Sequence, residues 1–392
     1  MPLTCASRSW RDNMTTTLPV AAAFHHEYIP ATPPPADIRP SPVTWALKNL
    51  FSSPFSCLLT VCFTGLAVWL VSQFLSFALI NAVWRGDSEV CRANPDGACW
   101  SFIGAKLNYL QYGAYPATER WRVDLTQVIG AILIAWLLWR NAPRRNTAAL
   151  LFFGVYPIAG FALLRGVEAI GLPVIDTTLW GGMMITLLMS VVGIVFSLPL
   201  GVVLALGRRS GLPIVRAVCV FYIEVVRGVP FITVLFMANF MMPLFVPEAL
   251  TPDRLLRPMI GTALFSAAYM AEIVRAGLQA IPKGQYEGAQ ALGVGYFTMM
   301  RLIILPQALT IVIPGIVSTF IGLFKDTTLV AIVGIADFLR AVEAARIDPN
   351  WAGPTISSTG YLFAAIIYWF FCFGMSRYSQ SVERHLARGH KS

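Results

Sequence analysis

The chain has 392 residues, 56% of them hydrophobic and 12% charged, a balance too apolar for a soluble domain of this length. The long unbroken apolar runs also exclude an outer-membrane barrel, whose strands would alternate over roughly ten residues. What remains is an all-α, polytopic membrane bundle, because in lipid every backbone amide must be satisfied within its own segment.

The first 57 residues read as a cytoplasmic tail. Its stretch "YIPATPPPADIRPSP" (28–42) is expected to be extended, since proline fixes φ and removes a backbone donor. No apolar core appears before about Ser56, so the first span is expected to act as its own insertion signal. Runs of about 20 apolar residues then predict about eight crossings, at 58–83, 124–140, 148–168, 178–206, 215–243, 259–280, 307–331 and 360–378. Composition shifts near residue 176. Three helices and a long polar loop occupy 58–176, and five helices with short connections occupy 177–392.

Orientation follows Lys and Arg, which short cytoplasmic loops collect. With both termini inside, the inner segments hold 17 basic against 5 acidic residues and the outer segments 11 against 13. The net charge of +9 is therefore a mark of topology, and nucleic acid is not needed to account for it.

The first outer loop, "SEVCRANPDGACW", sets Cys91 and Cys99 on either side of a Pro-Asp-Gly turn, where an oxidising compartment permits a bridge. The other five cysteines read as a tail thiol and packing residues, and the spacing lacks the further ligands of a zinc site. All four histidines (His25, His26, His385, His390) fall in the tails, so neither a catalytic dyad nor a metal site is expected.

Ionisable residues at membrane depth are costly and mark functional candidates. Glu224 and Arg227, three apart, can neutralise each other ahead of a helix break at Gly228 to Pro230, or can line a substrate path with the carbonyls freed near Pro230. Glu272 and Arg275 repeat the spacing and the two readings. Lys325, Asp326, Thr327 and Thr328 interrupt the seventh span. They offer a cation and an anion to a zwitterion, unless Lys325 and Asp326 pair with each other.

Between the sixth and seventh spans lies "EGAQALGVGYFTMMRLIILP" (287–306). Pro282 and Gly284 are expected to end the preceding span, Glu287 to fall in the first turn of a new helix, and Ala289 and Leu292 to share a face. Gly293 and Gly295 then break that helix, and the chain is expected to run along the membrane to Pro306. Taken alone, this describes either an amphipathic helix resting on headgroups or a small-residue elbow projecting from the membrane.

The stretch resembles the EAA loop of ABC-importer permeases: E-A-A, three residues, G, nine residues, I-x-L-P. Glu287, Ala289, Gly293, Ile303, Leu305 and Pro306 stand at those spacings, with Gly288 in place of the first alanine. The resemblance implies that residues 282–306, Leu292 included, dock on a separate ATP-hydrolysing subunit. Further segments, "FYIEVVRGVPFITVLF" (221–236), "AYMAEIVRAGLQAIPKGQYEGAQALG" (268–293) and "LFKDTTLVAIVGIADFLR" (323–340), are similar to polar amino-acid permeases of the histidine and glutamine type. The extra N-terminal helices and "IDPNW" (347–351) resemble the longer M-type permease of general L-amino-acid uptake systems.

Such a system implies four parts in the bacterial inner membrane and periplasm: this subunit, a sister permease or second copy, an ATPase carrying ATP and Mg, and a periplasmic amino-acid-binding protein. The chain has no Walker A pattern, so no nucleotide is expected on it. A stand-alone, ion-coupled secondary transporter of small polar solutes is the competing reading. It would carry paired broken helices in two halves, and the five-helix region shows no such duplication.

Overall fold

The computed structural model describes residues 41–139 and 142–389, with the side chains of 170 and 385–389 left out. The proline-rich tail before residue 41, with His25 and His26, and also His390 lie outside the described residues. The described residues form two compact units dividing between Leu70 and Val71.

The first unit holds α1 (Pro42–Leu50) and most of α2 (Pro54–Leu75). The second holds α3 (Ser88–Ala93), α4 (Trp100–Tyr112), α5 (Arg120–Leu138), α6 (Arg145–Leu150), α7 (Tyr156–Arg165), α8 (Met183–Arg208), α9 (Pro213–Gly228), α10 (Phe231–Phe236), α11 (Met242–Phe245), α12 (Leu256–Ala280), α13 (Lys283–Ala291), α14 (Tyr296–Met299), α15 (Leu305–Asp326), α16 (Phe338–Arg346) and α17 (Ile356–Gly389). Among the described residues, the only strand-like pairings are isolated bridges.

Helices rise at all eight predicted places, but among the described residues six are long and apolar enough to cross a membrane, or seven if the bent pair Pro213–Gly228 and Phe231–Phe245 is one span. Two physical reasons account for the difference from eight. The predicted fifth span is folded through 108° at Val229 and Pro230, where a proline cannot donate to the preceding turn. The sixth, α12, has 25 residues but is buried along one side by small and polar residues such as Thr262, Ser266, Ala267 and Gly277. A helix enclosed by protein need not present an apolar surface to lipid.

α12 is the axis of the second unit. Its Met270 meets Gly201 of α8, and Glu272 meets Arg208 at the end of α8, so the two helices run in the same direction. α15 runs against them: a Cβ at Gly277 would lie 2.6 Å from Ala308 O, and Gly315 faces Ile273. Small residues let these helices approach closely enough for packing to hold them together, since lipid itself offers apolar groups no advantage in water exclusion.

Three π-helical turns, Leu151–Val155, Met237–Met241 and Met300–Ile304, each end two residues before a proline: Pro157, Pro243 and Pro306. Proline removes one amide and crowds the carbonyl four residues back. Local widening of the helix absorbs both without a break. For this reason the chain does not turn along the membrane before Pro306, as expected from the sequence. Tyr296–Val333 is one helical run of 38 residues.

At the end where α12 begins, α3 and α4 pack on α16 and α17 around Phe102, Ile103, Phe338 and Val342. Cys91 and Cys99 are joined by a disulfide. Arg92 donates to the carbonyls of Pro349, Asn350 and Ala352, Lys106 pairs with Asp348, and Phe102 lies against Trp351. The cysteine loop and the 347–351 stretch, two separate peculiarities of the sequence, are thus one structure.

α16 is capped by Asp337, which is fully buried and accepts from the amides of Leu339 and Arg340 at 3.0 and 3.1 Å. Burial pushes its carboxyl up to about 6 despite those amides. The folded state therefore holds the proton more tightly than the unfolded chain. The stabilisation is fully present below about pH 4 and is lost as pH rises through about 6, on the order of 2–3 kcal/mol. Asp337→Asn removes this term. The variant's unfolding midpoint relative to wild type is expected to climb between pH 4.5 and 7, and a constant difference would contradict it.

Candidate functional site

The elbow is built from its caps. Pro282 is the N-cap of α13, which starts at Lys283, so its first turn closes before Glu287. Gly284 thus lies inside the helix, and Glu287 sits in the second turn, exposed and without an ion pair among the described residues. At the other end, Gly293 N–H donates to Gln290 O at 2.9 Å and Val294 N–H to Ala289 O at 3.1 Å. This paired closure requires a left-handed residue, and Gly293 supplies φ +70°. No atom lies within 4 Å of where its Cβ would be, so backbone conformation, and not crowding, demands glycine here.

Ala289 and Leu292 point in opposite directions, contrary to the expected shared face. Ala289 is buried with Val294, Met299, Ile304 and Ala308 beneath the elbow, whereas Leu292 caps the helix and is 83% exposed. Phe297, across the turn, is 85% exposed. Tyr286 pins the elbow from below: its hydroxyl donates to Leu278 O, and Arg209 donates to the same carbonyl and to the Tyr286 hydroxyl. Gln307 adds a link from α15 to Gln285. Ile303 and Leu305 are half-buried and Pro306 exposed. The elbow is therefore fixed to the ends of α8 and α12 by its inner side, while two large apolar side chains face outward.

Behind it lies a charged cluster in which Glu272 meets three guanidiniums: Arg275 at 2.7 Å, Arg208 at 2.6 Å and Arg227 at 3.8 Å. Arg208 also holds Glu224 at 2.9 Å. Glu224 thus pairs with Arg208 and not with Arg227, so the expected self-neutralising pair does not form. The i,i+3 pair of Glu272 and Arg275 does. Nothing local to Arg208 signals a partner 64 residues away.

The third feature is a cleft of about 310 Å³ lined by Asp326 of α15, Phe231 of α10, and Phe265, Ser266 and Tyr269 of α12. Rings of Phe231, Phe265 and Tyr269 succeed one another at 4.8 and 5.0 Å, and Arg227 lies over Tyr269 at 5.7 Å. Pro230 caps α10 and so places Phe231. Lys325 and Asp326 form no ion pair with each other or with any described residue. The hydroxyls of Thr327 and Thr328 are taken by the carbonyls of Phe324 and Lys325. A carboxylate beside aromatic faces can hold an ammonium, and a guanidinium nearby can hold a carboxylate. The aromatic side of the cleft was not singled out from sequence, although Phe265 and Tyr269 at i,i+4 share one helix face.

The described residues thus combine a helical membrane bundle, an apolar-tipped elbow, charges held between helices and an aromatic-lined cleft. Residues 197–388 match the family model of the binding-protein-dependent transport system inner membrane component. The chain is 46% identical over 347 residues to the inner membrane amino-acid ABC transporter permease protein YhdY of Escherichia coli K12, covering 88% of this chain and 94% of that protein. It is 38% identical over 426 residues to the glutamate/glutamine/aspartate/asparagine transport system permease protein BztC of Rhodobacter capsulatus, covering 90% of this chain and 97% of that protein. A solved amino acid ABC transporter with histidines is 28% identical, with a TM-score of 0.45, over 52% of this chain and 92% of that one. The chain belongs to the amino-acid ABC transporter permeases, which are inner-membrane transport components and not enzymes.

Proposed function

We propose that this chain forms the membrane path of an importer carrying L-amino acids from periplasm to cytoplasm, powered by a separate ATPase seated on the elbow. The observation that carries the reading is the outward pair Leu292 and Phe297 on a rigid, capped turn bonded to the ends of α8 and α12. A partner covering that pair would grip the bundle at the helices that hold the charged cluster. ATP and Mg then belong to the partner, and closure of the ATPase tilts α8 and α12 through the elbow.

The charge bias supports cytoplasmic termini and elbow, which puts the cysteine loop in the oxidising periplasm. The division into a tail (1–57), a three-helix extension (58–176) and a transport core (177–392) is part of the proposal, as is assembly with a sister permease and a periplasmic binding protein. The substrate path runs past Asp326, the Phe231 to Tyr269 rings and Arg227. The E. coli relative supports amino acids as cargo, and the glutamate/glutamine/aspartate/asparagine permease of R. capsulatus supports polar ones and a broad range.

Proteoliposomes holding the whole complex, with binding protein and labelled L-glutamine outside, test the energy source. Uptake is expected to require luminal ATP and to survive a protonophore. Uptake that follows an ion gradient without ATP would favour the secondary transporter instead.

A further inference from the structure

A second cleft, of about 400 Å³, lies at the end of the bundle opposite the elbow, where α12 begins. It is within the size range of small-molecule sites. Arg254 and Arg257, three apart at the start of α12, line it with Asn239, Phe240, Val333 and Gly334. Arg254 Nη2 donates to Gly334 O at 2.9 Å, Arg257 Nε to Pro252 O at 2.8 Å, and Arg257 Nη1 to Asn239 O at 3.3 Å. These partners are neutral carbonyls, and neither guanidinium has a carboxylate within 4 Å among the described residues. The neighbouring carboxylate of Asp253 is turned to the Thr177 hydroxyl and the Leu255 amide.

Asn239 supplies the complementary charge preference. Only 5% exposed, it donates from Nδ2 to Val333 O at 3.3 Å, which fixes its amide orientation and leaves Oδ1 buried with no partner. A buried acceptor without a donor is costly unless something else supplies one. The cleft is therefore lined by two guanidiniums without a carboxylate partner and by a side chain with one unmet acceptor, the two halves of a zwitterion receptor.

We infer that this cleft is an entry site for an α-amino acid, its carboxylate held by Arg254 and Arg257 and its ammonium by Asn239 Oδ1. The inference rests on the amino-acid importer reading and adds a stop at the mouth, separate from the Asp326 cleft. The guanidiniums are rigidly placed by their carbonyl bonds, so a carboxylate is received without reordering long side chains.

The test is equilibrium binding of labelled L-glutamine to the purified transporter complex without its binding protein. In the wild type, L-glutaminamide, which lacks the α-carboxylate, and glutaramate, which lacks the α-amino group, should both compete at least tenfold more weakly than glutamine. Arg254→Gln and Arg257→Gln are expected to weaken binding about 10- to 100-fold, the range for a charged hydrogen bond. Arg257→Lys should recover part of that loss, and Asn239→Leu should weaken glutamine but not glutaramate. Size-exclusion profiles identify any variant that fails to assemble, and the wild-type competition needs no variant. If the wild type imports glutamine but both Gln variants bind it as wild type does, the entry site is wrong. If the wild type neither imports nor binds any amino acid, the importer reading fails and the entry site with it.

Discussion

Glu272→Ala is expected to destabilise the bundle by about 1–2 kcal/mol, because removing one member of a partly enclosed ion cluster leaves the others uncompensated. Glu272 is the most enclosed of the five charges, its side chain 15% exposed, and it alone touches three guanidiniums. Without it, Arg208 keeps only the half-exposed Glu224, while Arg227 and Arg275 keep a ring and a neutral amide. Glu272→Gln keeps one acceptor oxygen but sets an amide donor against the other guanidinium, and should fall between wild type and the Ala variant. Thermal unfolding of the assembled transporter in detergent reads the difference. An Ala variant within about 0.5 kcal/mol of wild type, the usual range for a surface change, would show that the cluster is solvated and unimportant.

Gly293→Val is expected to lower ATP-coupled uptake at least tenfold while leaving membrane insertion intact. A left-handed conformation costs an L-residue roughly 1–2 kcal/mol, and a β-branched one more. The turn then opens, and the amides of residues 293 and 294 lose Gln290 O and Ala289 O as acceptors. Because the space around the absent Cβ is empty, size alone should not matter. Gly293→Asn, which tolerates this conformation, should retain most of the uptake, and equal loss in both variants would contradict the backbone argument.

The sequence made the elbow legible because its markers are local. Pro282, Gly293 and Pro306 act on their own turns, and their spacing carries the likeness to the EAA loop. What it obscured was direction: Ala289 and Leu292 are three apart, but the cap at Leu292 leaves the helix and turns its side chain outward. The break at Pro230 was readable for the same local reason, whereas its angle of 108° was not. Long-range pairings were not legible at all. Arg208 finds Glu272 and Glu224, Arg92 finds the 349–352 carbonyls, and Asp326 finds the α12 rings only once the helices are packed. Apolarity and length alone pass six or seven of the eight predicted spans, and α12 falls short where burial by protein replaces contact with lipid.

The elbow as ATPase dock is the claim on which the rest depends. Its most direct measurement is co-purification of the ATP-binding subunit with the tagged permease, for wild type and for Leu292→Asp combined with Phe297→Asp. These two side chains touch solvent over more than four-fifths of their surface, so the substitutions leave the bundle's interior unchanged. The wild type is expected to retain the ATPase, and the double variant to lose it while still inserting into the membrane. A double variant that retains the ATPase in full would place the dock elsewhere.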